Sequence, residues 1–232
     1  MHDKVVSCIL PVWNGEKYLV HALDSIFAQT HKALDVILVD DGSTDATRRI
    51  CEQYAGDIRV LSQANSGPSV ARNTGLEHVR GDFVAFLDYD DIWVPEKLAW
   101  QLAAFAATPD IGACVGYVQE FEDNADGSVK LRGDPIVGYV TGTMMLSRAA
   151  LQTVGPFNPA IAHADSADWF LRAREAGVRE TRIPEVLLHR RCHDNNRSQI
   201  KNGNTRQEFL NVLRANVARH RMKNAMSQNT DK

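Results

Sequence analysis

Long apolar runs and paired cysteines are both missing from this chain of 232 residues. No stretch approaches the roughly 20 apolar residues that a membrane-spanning helix needs, and the first residues lack a basic segment followed by an apolar segment and a cleavage site. The four cysteines form no CxxC pair and have no histidine at a zinc-ligand spacing. We therefore predict a cytoplasmic globular protein, of one large α/β domain or two small ones, with reduced and mostly buried thiols.

Charge is unevenly distributed along the chain, although the net charge is only −3. Residues 1–169 hold 12 Lys and Arg against 23 Asp and Glu, whereas residues 170–232 hold 14 against 6. The acidic part would repel a nucleotide diphosphate unless a cation were supplied. The basic part predicts contact with another anion, such as a membrane surface or a phosphorylated acceptor, with a merely solvated basic helix as the alternative. We predict no nucleic-acid partner.

Apolar and amphipathic segments alternate through the first half of the sequence. The predicted strands are residues 5–10, 34–39, 58–61 and 83–87, and the predicted helices are residues 16–29, 44–54 and 69–79. Strands that alternate with helices predict a parallel sheet with crossover helices, whose ligand crevice lies at the carboxyl ends of the strands. Further on, a strand at residues 111–121 and a turn at residues 123–127 predict a hairpin.

Three carboxylates fall within four positions after the last of these strands, in the sequence FLDYDD. Asp88, Asp90 and Asp91 would repel one another unless a positive charge lay between them. Hard divalent cations such as Mg²⁺ and Mn²⁺ prefer oxygen ligands, so the cluster indicates a cation that would also bind phosphate. The alternative is a helix start, with Asp91 as the cap of a helix near residues 95–97.

Other polar segments follow the neighbouring strands. In LPVWNGEKYL, Pro11 is predicted to end a strand and Asn14 to turn the chain into a helix, and in VDDGSTD, Asp40 and Asp41 close the second strand. The segment QANSGPSVARNTG offers backbone amides beside a helix start, with Arg72 one turn inside, which suits a phosphate or ribose contact. Ordinary strand-to-helix loops, with Arg72 in a surface ion pair, are the alternative.

Together these motifs resemble those of the family 2 glycosyltransferases. PVWNGEKYL resembles P-x-Y-N-x-E with Trp13 in place of Tyr, VDDGSTD matches directly, and residues 65–75 match N-x-G-x-x-x-A-R-N-x-G. The resemblance implies the single-domain A-type glycosyltransferase fold of the nucleotide-diphospho-sugar transferases, an α/β fold with a Rossmann-like, mostly parallel mixed sheet flanked by helices. It also implies a metal-dependent, inverting transfer of a sugar from a nucleotide diphosphate donor, most often a UDP-sugar, to the hydroxyl of a glycan or lipid-linked acceptor in glycan or cell-surface polysaccharide synthesis.

The resemblance further implies a donor site. In it Asp41 would bind the nucleobase and Asp88 the ribose, while Asp90 would ligate Mn²⁺ or Mg²⁺ and His193 would face the diphosphate or the metal. Asp91 would be a helix cap or a group behind the ligands. The predicted nucleotide- and donor-binding residues are Pro11, Trp13, Asn14, Asp40, Asp41, Asn65, Gly67, Arg72, Asp88, Tyr89, Arg190 and Arg191. The last two would neutralise the leaving diphosphate.

The catalytic base is where the sequence departs from the family. The family pattern Glu-Asp-x-Asp-Leu, aligned on the segment HADSADWFLRAREAG through Arg172, places Ser166 at the position of the base. A serine hydroxyl cannot act as a base near neutral pH without another base behind it. Either Asp165, and after it Asp168, serves as the base, or the alignment shifts by one residue, or the chain is catalytically inactive. A protein that binds nucleotide sugars without turnover is therefore the second hypothesis.

The second half of the sequence is expected to form the acceptor side. We predict a transferase domain at residues 1–204, divided into a nucleotide-binding half (1–109) and an acceptor half (110–204), and a basic amphipathic helix and tail at 205–232. That helix could pack on the domain, which we favour, pair two subunits in a homodimer, or lie on the inner face of the membrane. Gly142 and Thr143 would line the sugar pocket or belong to a plain buried strand.

Overall fold

The computed structural model describes residues 4–124, 126, 128–161, 163–193 and 204–230, and in the last range the side chains of residues 207–219, 221 and 222. The strands are β1 (Val6–Val12), β2 (Leu34–Asp40), β3 (Ile58–Ser62), β4 (Phe83–Phe86), β5 (Ile92–Trp93), β6 (Ile111–Asp123), β7 (Val129–Val137), β8 (Met145–Ser147) and β9 (Arg179–Arg191). The helices are α1 (Leu19–Phe27), α2 (Thr47–Gln53), α3 (Pro68–Leu76), α4 (Lys97–Ala107), α5 (Arg148–Val154), α6 (Asp165–Glu175) and α7 (Asn204–Thr230). A 3-10 turn spans Thr141–Thr143.

All of these strands join one mixed sheet. The order is β3-β2-β1-β4-β8-β6-β9-β5, and β7 pairs with β6. The first four strands are parallel, as the alternation of strands and helices predicts, and β6 with β7 forms the predicted hairpin. β8 runs antiparallel to both β4 and β6 and so connects the two halves of the sheet.

β1 is an inner strand of the sheet, between β2 and β4, and is buried along its whole length. Val6, Cys8 and Leu10 pack under α1 and α4 on one face, whereas Ile9 faces α3 on the other, which is the alternation that a strand imposes. Burial on both faces explains why this segment is apolar except at Ser7, whose hydroxyl donates to Asp35 Oδ2 at 2.6 Å. The prediction that Pro11 ends the strand is wrong by one residue, since β1 continues to Val12 after its pairing with β4 has ended at Ile9.

The four cysteines are free and mostly buried, as the sequence predicts. Cys8, Cys51 and Cys114 are buried and free, Cys192 is partly exposed and free, and burial raises the pKa of Cys8 to about 12. Within the ranges given above, no helix is both long and apolar enough to cross a membrane.

The last helix, α7, lies against α6, where its Val212 is buried with Ile161 and Ala164.

Lys97, the first residue of α4, is a fully buried cation in the apolar layer beneath β1. Its Nζ donates to Gln101 Oε1 at 2.7 Å and lies 4.3 Å from the centre of the Trp93 ring. Gln101 in turn donates to the backbone carbonyls of Cys114 and Thr143. Because burial disfavours the charged form, the pKa of Lys97 falls to about 7.

We expect Lys97→Met to flatten the pH dependence of stability between pH 7 and 8.5. The unfolded lysine holds its proton up to about pH 10.4, whereas the folded amine releases it near 7, so the free energy of unfolding rises with pH in this window. The wild-type chain should gain about 1.5 kcal/mol more than the variant there. Urea unfolding at both pH values measures the difference. Lys130→Met on the exposed hairpin should behave like wild type, and an equal gain in Lys97→Met would contradict the assignment.

Candidate functional site

Three loops that follow parallel strands meet at one edge of the sheet. β1, β2 and β4 all end there. The amide of Asp41 donates to the Val12 carbonyl at 2.8 Å, and the amide of Leu87 donates to the Ile9 carbonyl at 3.1 Å. Parallel strands bring their carboxyl ends to one edge, so the polar segments that the sequence singled out converge.

Asn14 joins the loop after β1 to the loop after β2. Its Oδ1 accepts a hydrogen bond from the Thr44 amide at 2.8 Å, and its own amide donates to Ser43 Oγ at 2.9 Å. Its φ of 51° is a left-handed conformation that asparagine adopts more readily than most residues. Asn14 was predicted to contact the donor, and its contacts here position the two loops.

The neighbours of Asn14 differ in their access to a ligand. Trp13 is 42% exposed at this edge, whereas Pro11 is buried within β1. Tyr89 packs so closely on Gly15 that a Cβ there would lie 2.9 Å from Tyr89 Cδ2 and 2.5 Å from Val12 Cγ2. Only glycine fits at position 15, and it lets the loops after β1 and β4 touch.

Asp41 is buried and holds the loop that precedes α3. Its carboxylate accepts from the Ser66 amide at 2.8 Å, the Gly67 amide at 2.9 Å and Gln63 Nε2 at 2.8 Å. A carboxylate can accept about four hydrogen bonds, so one position remains for a further donor. Gly67, with a φ of 91°, turns the chain into α3.

Asp40 and Gly42 shape the turn after β2. Asp40 Oδ1 accepts from the Ser43 amide at 3.0 Å. A Cβ at Gly42, whose φ is 74°, would lie 2.8 Å from the backbone nitrogen of Asn65. Asn65 itself is exposed and lies next to this turn, at the carboxyl ends of the strands.

Arg72 is a buried cation that bridges two carboxylates. Its Nη2 donates to Asp88 Oδ1 at 2.5 Å and its Nη1 donates to Asp165 Oδ2 at 2.5 Å. Among the residues that the structure describes, its Nε has no hydrogen-bond partner. Burial alone would lower the pKa of Arg72, but the charges of Asp88 and Asp165 outweigh it and raise that pKa. Of the two interpretations of Arg72, the surface ion pair is therefore wrong, because the pair is internal.

Asp165 and Ser166 open α6 and are both nearly buried. Besides Arg72, Asp165 accepts from Ser69 Oγ at 3.2 Å and from the Ser166 amide at 2.7 Å. The hydroxyl of Ser166 donates to the Tyr139 carbonyl at 2.9 Å. Both side chains thus have defined partners at the start of α6.

Asp168, in the same turn of α6, pairs with a different arginine. Its Oδ2 accepts from Arg172 Nε at 2.8 Å, and Arg172 also donates to the carbonyls of Val154 and Pro156. Asp168 is only 3% exposed. The structure therefore gives Asp168 a structural partner one turn along its own helix.

Asp90 and His193, the two predicted metal ligands, are brought together. Asp90 Oδ2 lies 3.0 Å from His193 Nε2, and the His193 ring lies against Tyr18 with 5.0 Å between ring centres. Across the described part of the chain, no group of three or more His, Cys, Asp or Glu side chains is arranged to hold a metal. The protein would therefore offer one carboxylate oxygen and one imidazole nitrogen.

Asp91 does not cap a helix. The next element is the short strand β5, and α4 begins only at Lys97. Asp91 Oδ1 accepts from the Arg191 amide on β9 at 3.0 Å. Burial first, and then the charges of Asp90 and Asp88, raise the pKa of Asp91 well above its usual range. The cap prediction failed because a hydrogen bond to a residue 100 positions away, and the pairing of β5 with β9 beside it, lie outside local sequence rules.

The two arginines of β9, which were predicted to neutralise the diphosphate, have different surroundings. Arg191 is 3% exposed; its Nε donates to the Asp90 carbonyl at 3.0 Å and its guanidinium also pairs with Asp123. It therefore holds the backbone of Asp90. Arg190 is partly exposed and lies 3.7 Å from Glu120.

Gly142 and Thr143 are buried, but they lie in a 3-10 turn and not in the plain strand that one interpretation expects. The Gly142 carbonyl accepts from Trp93 Nε1 at 2.8 Å, and Thr143 Oγ1 donates to the Gly138 carbonyl at 2.5 Å. They support the core beneath the site.

The sequence did not single out Ser69 or Tyr139, which contact Asp165 and Ser166. Their sequence signal is limited to their position beside motifs.

Comparison with known proteins agrees with this architecture. The family described as Glycosyl transferase family 2 matches residues 7–159, more than half of the chain. Glycosyltransferase GlyA of Streptococcus pneumoniae is 45% identical over 97 residues, which are 40% of this chain and 14% of that protein. An uncharacterized glycosyltransferase of Rickettsia typhi is 37% identical over 210 residues, covering 83% of this chain and 65% of that one.

Solved structures show the same fold at low identity. The structure of S. aureus TarS 1-349 in complex with UDP-GlcNAc has a TM-score of 0.72 at 22% identity, covering 92% of this chain and 65% of that chain. The mannosyltransferase PcManGT of Pyrobaculum calidifontis, in complex with GDP-Man and Mn²⁺, has a TM-score of 0.66 at 21% identity, covering 82% and 58%. The predicted A-type α/β fold is confirmed. This chain spans less than two thirds of the length of each of these proteins.

Proposed function

The chain belongs to glycosyl transferase family 2, and on that premise we propose that it transfers a sugar from a nucleotide diphosphate donor to an acceptor, with inversion and with the help of a divalent cation. The observation that carries the proposal is the convergence of Asp41, Asp88 and Asp90 on the carboxyl edge of β1, β2 and β4. We assign the reaction to glycan or cell-surface polysaccharide synthesis.

The donor would lie across the ends of these strands. Asp41 keeps one acceptor position for an N–H of the nucleobase. Asp88, with Arg72 on one oxygen and 39% of its side chain exposed, would direct the other oxygen to the ribose hydroxyls. Solved neighbours in complex with UDP-GlcNAc and GDP-Man support this class of donor.

Asp90 and His193 are the side chains that would hold the cation, Mn²⁺ or Mg²⁺. Asp90 supplies a carboxylate oxygen and His193 an imidazole nitrogen within 3.0 Å of each other, and both suit Mn²⁺. When bound, the cation would offset the charge that develops on the diphosphate as it leaves. Arg191 holds the Asp90 backbone and so fixes the direction of the carboxylate.

Binding of a nucleotide sugar without turnover is the second candidate. It is favoured by Ser166, which occupies the position of the family's base. The donor residues would then serve recognition alone. Turnover with any acceptor would exclude it.

We expect Asp90→Ala to weaken Mn²⁺-dependent binding of UDP-GlcNAc or GDP-mannose by about 10- to 100-fold or more, since even residues behind a metal ligand contribute that much to metal affinity. Calorimetric titration with and without Mn²⁺ measures it. Binding without the metal should change little, because Asp90 has no assigned contact to the nucleoside. Asp110→Ala is the matched control, because it also removes a carboxylate, but one that is exposed and precedes β6. Unchanged Mn²⁺ dependence in Asp90→Ala would refute the metal assignment.

A further inference from the structure

We propose that the acceptor nucleophile is a phosphate monoester, an oxygen that is already ionised at neutral pH, and not the hydroxyl that family resemblance implies. The inference rests on the proposed function and names the class of acceptor for the same site. It follows from the partners of the three side chains on the acceptor side: Asp165, Ser166 and Asp168.

Asp165 is committed to the buried cation beside it. Its Oδ2 accepts from Arg72 Nη1 at 2.5 Å and from Ser69 Oγ at 3.2 Å, and its Oδ1 accepts from the Ser166 amide at 2.7 Å. If the carboxylate rotated toward an acceptor, or took up its proton, the Arg72 guanidinium would lose one of its two charge partners inside the protein. Removing one partner of a buried pair is strongly destabilising, so Asp165 is a poor general base.

Asp168 is committed in the same way to Arg172. The pair lies at 2.8 Å, and the same guanidinium is fixed by the Val154 carbonyl at 2.7 Å and the Pro156 carbonyl at 2.8 Å. To take a proton from an acceptor, Asp168 would have to give up this ion pair, in which its own side chain is 4% exposed.

Ser166 has a single proton, which is already used, and its remaining lone pairs belong to a weakly basic hydroxyl oxygen. Its hydroxyl donates to the Tyr139 carbonyl at 2.9 Å. That partner is a backbone carbonyl, which cannot take up the hydroxyl proton as an imidazole or carboxylate would. A site of this composition suits a nucleophile that brings no proton to be removed.

A phosphate monoester meets that condition. Its second pKa is about 6, so the dianion predominates at pH 7. An oxygen of the dianion attacks the anomeric carbon and forms the new carbon–oxygen bond. The bond from that carbon to the diphosphate oxygen breaks, and its electron pair leaves on the nucleoside diphosphate. The products are a glycosyl phosphodiester and the nucleoside diphosphate, and no proton is transferred.

The helix α7, which packs on α6, carries exposed charge and apolar area that suit such an acceptor. On α7, Leu210, Leu213 and Val217 form an exposed apolar strip that Arg214 and Arg221 flank.

The same helix contacts the start of α6, because Glu208 of α7 accepts from the His163 and Ala164 amides, which lie three and two residues before Ser166. A lipid-linked phosphate would use both the arginines and the strip, whereas a soluble phosphate would use the charge alone.

The test uses the full chain with Mn²⁺ and whichever of UDP-GlcNAc or GDP-mannose it binds by calorimetry. Four acceptors are compared: decyl phosphate, decanol, butyl phosphate and butanol. We expect at least about 100-fold faster transfer to each phosphate than to its matched alcohol, since the alcohols would lack the general base that contributes roughly 10²- to 10⁴-fold. Mass spectrometry should identify a glycosyl phosphodiester. Preference for decyl over butyl phosphate would indicate a lipid-linked source, and equal rates a soluble one.

The pH profile separates this mechanism from general-base catalysis. The rate with butyl phosphate should rise as the pH passes the second pKa of the acceptor. Butyl phosphonate has a higher second pKa, so its rate profile should move to higher pH by the difference between the two pKa values. Faster transfer to the alcohols, or donor binding with no transfer to either phosphate, would overturn the inference and leave the donor assignment standing. Failure to bind any nucleotide sugar would instead refute the proposed function.

Discussion

Arg72→Leu is expected to lower the free energy of unfolding by about 3–5 kcal/mol and to remove nucleotide binding. The guanidinium is 6% exposed and holds Asp88 and Asp165 at 2.5 Å each. Asp88 can turn to water, because 39% of its side chain is exposed, but Asp165 would be left as a buried charge without a cation. Urea unfolding measures the loss of stability, and titration of UDP-GlcNAc measures the loss of the oriented Asp88.

Two further variants separate the ion pair from general damage. Arg48→Leu removes an exposed arginine that pairs with Glu52, and its effect should be small because exposed pairs contribute little. Arg72→Leu combined with Asp165→Leu replaces both buried partners by apolar groups and should recover much of the stability without recovering nucleotide binding. A single Arg72→Leu variant that is as stable as Arg48→Leu would contradict the bridge.

The bridge also shows why the contacts of α6 were harder to predict than the loops after β1, β2 and β4. Residues of these loops lie close in sequence to the strands that carry them, and an apolar run followed by Asp or Asn is visible locally, as at Asp41 and Asp88. The partner of Arg72 lies 93 residues away, on a helix that packs from the other half of the sheet. No local pattern specifies that contact.

The same limit explains two further positions. Asp91 resembles a helix cap because Pro95, Glu96 and Lys97 follow, but β5 intervenes and pairs with β9, which is known only once the sheet has formed. Lys97 resembles a solvated residue of a first helical turn. Its side chain instead points under β1, where Gln101 and the Trp93 ring receive it. Tertiary pairing, and not propensity, decides both positions.

Ser166→Asp is expected to raise transfer to the alcohol acceptors by about 10²- to 10⁴-fold, the usual contribution of a positioned general base. The new carboxylate would stand next to Asp165 and opposite the Tyr139 carbonyl, two groups that disfavour a second negative charge. Both effects raise its pKa toward neutrality, which suits a base that works near pH 7. Rates of transfer to decanol and butanol, measured against donor hydrolysis, give the change.

The same substitution should invert the acceptor preference. A carboxylate at position 166 repels a phosphate dianion, so transfer to decyl and butyl phosphate should fall while transfer to the alcohols rises. Ser166→Asn is the matched control, because it has nearly the shape of aspartate without a basic oxygen; it should leave the alcohols unreactive and reduce phosphate transfer only by crowding. Equal behaviour of the Asp and Asn variants would show that position 166 does not face the nucleophile. The base would then have to be sought outside α6, and Ser166 would be a structural contact of the Tyr139 backbone.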